Sequence, residues 1–183
     1  MNFIPQKLDG VYLIETNRKQ DERGWFSRTW CKEEFTKIGH TGEWLQHNHT
    51  LTTEKGSIRG LHYQLLPFTE IKLVRCIVGR VYDVIVDIRK NSPTYLKYLG
   101  IELSSLNGSM LYIPQGFAHG FQTLEPDCEM LYCHSSAYEP GFEGGLLFSD
   151  PALQIEWPLA PTIISERDKN HPLIDNTFKG LIF

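Results

Sequence analysis

Cysteine is scarce in this chain of 183 residues, and so is any excess of positive charge. The four cysteines, Cys31, Cys76, Cys128 and Cys133, form no CxxC pair and are too sparse for a disulfide scaffold. Reduced thiols in a cytoplasmic setting are therefore the expectation. Lysine and arginine number 18 against 22 aspartates and glutamates, a formal charge of −4. A general nucleic-acid or membrane binder would show a basic excess, so any anion site has to be a local cluster. No apolar run approaches membrane-spanning length, and the opening residues MNFIPQKLDG lack the apolar core of a signal peptide. Repeats, low-complexity runs and obvious linkers are missing as well. With 41% apolar and 12% aromatic residues the chain can bury a sizeable core, and residues 1–183 read as one domain.

What is there reads mostly as β-structure. An early strand is predicted at Val11–Thr16, then the turn-rich Asp21-Glu22-Arg23-Gly24. Trp30 to Ile38 carries helix-like spacing of Trp30, Phe35 and Ile38. Strands follow at 46–52, 57–64, 70–78, 80–88, 98–103, 109–113, 119–124 and 129–136, separated by Gly56, Gly79, Pro93, Asn107-Gly108 and Pro126-Asp127. Many short, evenly spaced strands predict an all-β sandwich or barrel of jelly-roll type. From Asp150 onward the proline-rich tail reads as loops and a short turn packed on that barrel.

The chemistry concentrates in Ser57-Ile58-Arg59-Gly60-Leu61-His62-Tyr63-Gln64 and in the nearby Lys72. A guanidinium grips a phosphate with two prongs, an imidazole takes a proton near neutral pH, and an ammonium stabilises an oxygen that becomes negative. Together they suggest proton abstraction from a phosphorylated or nucleotide-linked carbonyl compound. Arg59 and His62 would point to opposite faces of a regular strand, so a shared site requires an irregularity, with Gly60 as its natural place.

Gly108 and Pro114-Gln115-Gly116-Phe117-Ala118-His119 match the pattern G-x5-P-x-G-x2-H, which resembles the second motif of the cupin superfamily. Metal-binding cupins carry H-x-H in the first motif, where this chain has His62-Tyr63-Gln64 and, downstream, Glu70. That leaves His62 and His119 as the only obvious ligand pair, short of the three ligands a transition metal usually needs. No metal and no cofactor are expected.

A longer ordered set covers residues 10 to 170: Asp21-x-Arg23-Gly24, Gln46-x-Asn48, RGLHYQ, KLVR, Asp83-Val84-x-Val86-Asp87-x-Arg89, SPTY, IPQGFAHGF, Leu131-Tyr132, Tyr138-x-Pro140, Asp150-Pro151, Trp157-Pro158 and S-x-x-D. It resembles the dTDP-4-dehydrorhamnose 3,5-epimerase family of cupin-fold enzymes. The resemblance implies epimerisation at C3 and C5 of a nucleotide-linked 4-keto-6-deoxyhexose through an enolate. It implies His62 as base, Asp168 as its partner, Tyr132 as the opposing acid and Lys72 beside the C4 oxygen. Arg23 and Arg59 match diphosphate-binding arginines, and Gln46 and Asn48 match amides that contact nucleotide or sugar. His119, Tyr138, Glu143 and Arg167 align with further substrate-contacting positions. A homodimer with an exchanged N-terminal strand is also implied, so that Arg23 serves the neighbour's site.

Taken singly, each residue has a plainer reading. Arg59 and Lys72 would be solvated strand charges, His62 a barrel histidine, Tyr132 a core residue and Asp168 a turn or cap. Asp83 reads either as support for a buried histidine or as a strand-face acid. Two positions depart from the family pattern: Arg28 stands where an acid contacts the nucleotide, and Arg167 where lysine is usual. These leave open a cytidine nucleotide and inversion at a single centre. Rival readings are a metal-dependent cupin enzyme and a non-catalytic sugar-nucleotide-binding protein.

Overall fold

Alternation along the long strands organises the molecule. In the segment Cys128–His134, Cys128 and Met130 are fully buried while the alternate residues Glu129 and Leu131 are only partly so. The computed structural model describes residues 1–183. The early elements are β1 (Asn2–Pro5), β2 (Tyr12–Glu15), β3 (Lys19–Asp21), β4 (Gly24–Phe26) and α1 (Lys32–Thr36). The barrel strands are β5 (Gln46–Thr52), β6 (Ile58–Gln64), β7 (Lys72–Val78), β8 (Arg80–Asp87), β9 (Tyr98–Ser104), β10 (Met110–Ile113), β11 (Phe117–Thr123) and β12 (Cys128–His134). A short β13 (Glu143–Gly145) and α2 (Glu166–Lys169) complete the set.

Two antiparallel sheets face each other, in the orders β1-β2-β10-β7-β12-β5 and β13-β6-β11-β8-β9. Each strand predicted in the barrel region is present within two residues at either end, and the jelly-roll expectation holds. The hairpin of β3 and β4 forms a separate two-stranded sheet around the predicted turn. Its strands were not foreseen, because all six residues are exposed and carry no alternating burial signal. Nor were β1 and β13; the latter is Glu-Gly-Gly, whose glycines have little strand preference of their own.

Apolar side chains form three layers. Val74, Val81, Ile85, Leu103, Leu111, Phe121 and Met130 pack between the sheets. Outside the five-stranded sheet, Leu61, Val84, Val86 and Ala118 are covered by Leu146 and by Leu153 and Leu181 of the tail. Outside the six-stranded sheet, Ile14, Leu73, Met110 and Tyr112 pack under Phe35 of α1. β10 and β11 are therefore buried on both faces. Each fully buried leucine or phenylalanine contributes roughly 1.5–3 kcal/mol, so the tail is fastened as firmly as a strand. All four cysteines are free thiols, and burial pushes Cys76 up to about 12.

Several residues of the ordered sequence set are structural. The buried Asp87 carboxylate accepts hydrogen bonds from Ser92 Oγ and Thr94 Oγ1, both at 2.6 Å, and from Arg89 Nη2 at 2.8 Å. That staples the turn between β8 and β9. Asp150 accepts from the backbone N–H of Ala152 and Ile174 at 2.8 and 2.6 Å, tying down the tail.

The irregularity anticipated at Gly60 is present. His62 pairs with His119 and Arg59 with Phe121, so three steps along β6 oppose two along β11. Gly60 has φ +118°, and a Cβ there would lie 2.6 Å from Gly120 Cα and 2.7 Å from the His119 carbonyl oxygen. Only glycine fits. Gly60→Ala should therefore cost about 2–5 kcal/mol in urea denaturation, from backbone strain and overpacking together. Gly39 supplies the control, with φ +85° and nothing within 4 Å of a built Cβ. Gly39→Ala should cost only about 1 kcal/mol, and equal losses would refute the packing argument.

Candidate active site

At one end the space between the sheets is polar and open. A cavity of about 690 Å³ is lined by Asn48, Arg59, His62, Lys72, His119 and Tyr132, among others. A second, of about 510 Å³, reaches Gln46, Tyr138 and Glu143 and shares Asn48, His62, Lys72, His134 and Arg167 with the first. The two form one continuous cleft, with His62 and Lys72 at the junction.

The strand period explains who points inward. Lys72 shares a face of β7 with Val74 and Cys76, which belong to the central layer. Tyr132 and His134 continue the inward row of Met130 on β12, and Gln46 and Asn48 lie beside them on β5. His62 and His119 come from the opposite sheet as register partners. The bulge at Gly60 brings Arg59 into the same cavity.

His62 Nε2–H donates to Asp168 Oδ1 at 2.8 Å, which leaves Nδ1 as the basic nitrogen. Asp168 Oδ2 accepts the Gly60 backbone N–H at 3.0 Å. Asp168 sits in α2, whose N-cap Ser165 accepts the Asp168 N–H at 3.1 Å through its hydroxyl. Burial alone would push the Asp168 carboxyl up; the hydrogen bonds from His62 and Gly60 outweigh it and hold the group well below the usual carboxylate range.

Arg167 Nη2 lies 2.9 Å from the same His62 nitrogen, while Nη1 pairs with Glu143 Oε2 at 3.1 Å. A guanidinium only donates, so Arg167 and Asp168 compete for Nε2.

On the facing sheet, the Tyr132 ring lies between His119 and His134, with centroids 6.0 Å from each. Burial, reinforced by the Asp83 carboxylate, pushes its phenol far above the ordinary value, so the hydroxyl keeps its proton at neutral pH. His119 Nε2–H donates to the buried Asp83 carboxylate at 2.9 Å, which settles Asp83 as support for a buried histidine. Arg59 is held by Thr52 Oγ1 at 2.8 Å and the Leu51 carbonyl at 3.2 Å.

Arg23 and Arg28 are not brought to this cleft within the chain. Arg23 pairs with Asp21 at the tip of the β3–β4 hairpin, and its side chain is 90% exposed. Arg28 pairs with Glu34. His62 and His119, the ligand pair of the metal reading, are register partners across the two strands, and His119 has Nε2 engaged by Asp83. His62, Asp168 and His171 do bring possible ligand atoms within 4.8 Å of one another, but the Arg167 guanidinium already stands against His62 there.

Glu70 and His134 were missed as site residues. Both lie two positions from a chosen residue, Lys72 and Tyr132, and alternation alone would have placed them on the same inward faces.

An antiparallel barrel of cupin type, with histidine–carboxylate pairs and arginines lining one open end, defines the class. The family model described as dTDP-4-dehydrorhamnose 3,5-epimerase matches residues 5–176. The chain belongs to that family, whose members are isomerases acting on sugar nucleotides. It is 44% identical over 171 residues to the dTDP-4-dehydrorhamnose 3,5-epimerase of Shigella flexneri, covering 93% of this chain and 94% of the relative. Its fold superposes with a TM-score of 0.92 on the Bacillus anthracis epimerase solved with TDP and PPi bound, 37% identical, covering 94% and 99% of the two chains. The Legionella pneumophila enzyme, solved with dTDP-4-keto-L-rhamnose, gives the same TM-score at 36% identity, with coverage of 98% and 97%.

Asp168 carries a pH prediction. Its folded-state pKa is depressed, so its stabilisation is present above the unfolded value of about 4 and is lost as pH falls through the lower folded value. Denaturation measured from about pH 5 downward should show wild type losing stability more steeply than Asp168→Asn. Parallel curves would show that the carboxylate is not held as described.

Proposed function

We propose that this chain epimerises dTDP-4-dehydro-6-deoxy-D-glucose at C3 and C5, giving dTDP-4-dehydro-L-rhamnose. The hydrogens on C3 and C5 of the sugar flank a carbonyl at C4 and are acidic for that reason. His62, oriented by Asp168, removes such a proton and leaves an enolate. Tyr132 returns a proton from the opposite side, a phenol being protonated at neutral pH and able to donate directly to an enolate. Lys72 faces the C4 oxygen as negative charge develops; preorganised positive charge of this kind stabilises a transition state by roughly 3–4 kcal/mol.

The observation that carries the reading is the cleft itself, with His62 on one sheet and Tyr132 on the other lining a single cavity beside Lys72. Arg59 suits the diphosphate as a two-pronged donor. Gln46, Asn48, Tyr138 and Glu143 serve the nucleotide or sugar, His119 the sugar, and Arg167 the substrate from beside His62. The Shigella and Legionella relatives support dTDP as the nucleotide. No helix is long and apolar enough to cross a membrane, which fits a cytoplasmic enzyme.

Incubation of purified protein with the dTDP-linked 4-keto sugar in heavy water, followed by NMR, should show deuterium entering C3 and C5 with inversion. His62→Ala should abolish that exchange while dTDP affinity stays near wild type. Tyr132→Phe should impair inversion more than exchange. Exchange that persists in His62→Ala would rule the imidazole out as base. A CDP-linked substrate run in parallel, or label at one carbon only, would redirect the assignment.

The active form is a homodimer in which the N-terminal segment crosses to the partner. The β3–β4 hairpin supports this: Trp25 and Phe26 are 51% and 73% exposed, and Arg23 and Arg28 lie close by on the same excursion. Light scattering should give a dimeric mass, and Arg23→Ala should weaken dTDP binding. A monomeric, fully active protein would refute the exchange.

A further inference from the structure

A directed run of hydrogen bonds crosses the inner face of the six-stranded sheet and ends on a buried carboxylate that the proposed mechanism does not use. The Tyr138 backbone N–H donates to Gln46 Oε1 at 2.9 Å, and Gln46 Nε2 donates to Asn48 Oδ1 at 3.1 Å. That fixes the Asn48 amide, so its Nδ2 donates to His134 Nε2 at 3.3 Å. With Nε2 accepting, the His134 proton sits on Nδ1 and is donated to Glu70 Oε2 at 2.6 Å. From the other side the Lys72 ammonium pairs with Glu70 Oε1 at 3.2 Å. Glu70 is the point at which both arms converge.

The three groups are about nine-tenths buried, with side-chain exposures of 9% for Glu70 and Lys72 and 10% for His134. An ammonium at that depth is costly unless it is paired. Burial alone would push the Glu70 carboxyl up, and the contacts with His134 and Lys72 reverse this and hold it below its ordinary value. Lys72 makes one further contact, to the His62 carbonyl oxygen at 3.4 Å. The ammonium is thereby held between the Glu70 carboxylate and the His62 carbonyl in the wall of the cleft.

We propose that Glu70, clamped by His134, is the positioning residue for Lys72, aiming and neutralising the ammonium that faces the substrate carbonyl. This rests on the role given to Lys72 above. Glutamine in its place keeps the shape but offers one acceptor oxygen to two donors and no charge. A displaced ammonium is expected to act on kcat rather than on nucleotide binding, since Glu70 contacts neither arginine.

The test is Glu70→Gln, with Glu70→Asp as a charge-retaining variant should the first fail to fold, and with dTDP titration as the check on folding. Expected is a loss on the order of 10²-fold in kcat for Glu70→Gln, with KM little changed and a smaller loss for Glu70→Asp. In parallel, NMR of ¹⁵N-labelled lysine side chains identifies the Lys72 Nζ resonance by its absence from Lys72→Met. That resonance should move in both Glu70 variants. Wild-type kcat, a loss confined to KM, or an unmoved Lys72 resonance would each overturn the proposal. The resonance reads the Glu70–Lys72 contact without turnover, so a wild-type protein that exchanges no deuterium would count against the proposed function alone.

Discussion

The Asp168 carboxylate holds two parts of the molecule at once, receiving the His62 imidazole on one oxygen and the Gly60 backbone N–H on the other. A buried carboxylate has to find donors, and these two both belong to the bulged segment of β6. The bulge, the histidine and the tail helix are therefore one device. The local backbone that only glycine can adopt turns Arg59 and His62 to a common cavity, and the same segment supplies the N–H that anchors the partner acid.

Around that device the inner space of the barrel changes character along its length. Toward one end it is filled by Val74, Ile85, Leu111 and Met130; toward the other it holds Lys72, His62, His119 and His134. Each deeply buried charge in the polar part has a partner: Asp83 with His119, and Glu70 with both Lys72 and His134. Breaking such a pair strands the remaining group, which costs about 3–5 kcal/mol in comparable sites. The open end is polar without being loose, because its side chains hold one another in place.

Much of this was legible in the sequence, and the reason is period. Regularly spaced glycine and proline turns located the barrel strands, and the three-residue spacing of Arg59 and His62 already demanded a break at Gly60. The His62–Asp168 contact was different. It joins residues 106 apart, and only the family pattern brought them together. Alternation put Glu70 and His134 on the inward faces, but their contact joins residues 64 apart, which no local spacing encodes. The β3–β4 hairpin escaped because exposed strands without an apolar face leave no alternation to read.

The order of these parts along the chain has a temporal consequence. Synthesis runs from the N-terminus, so every barrel strand through β12 leaves the ribosome before Asp168 does. Until then the His62 imidazole has no carboxylate behind it. The outer layer of Leu153 and Leu181 then docks and delivers the acid. Competence therefore arrives only after Asp168 has emerged, later than any strand of the barrel.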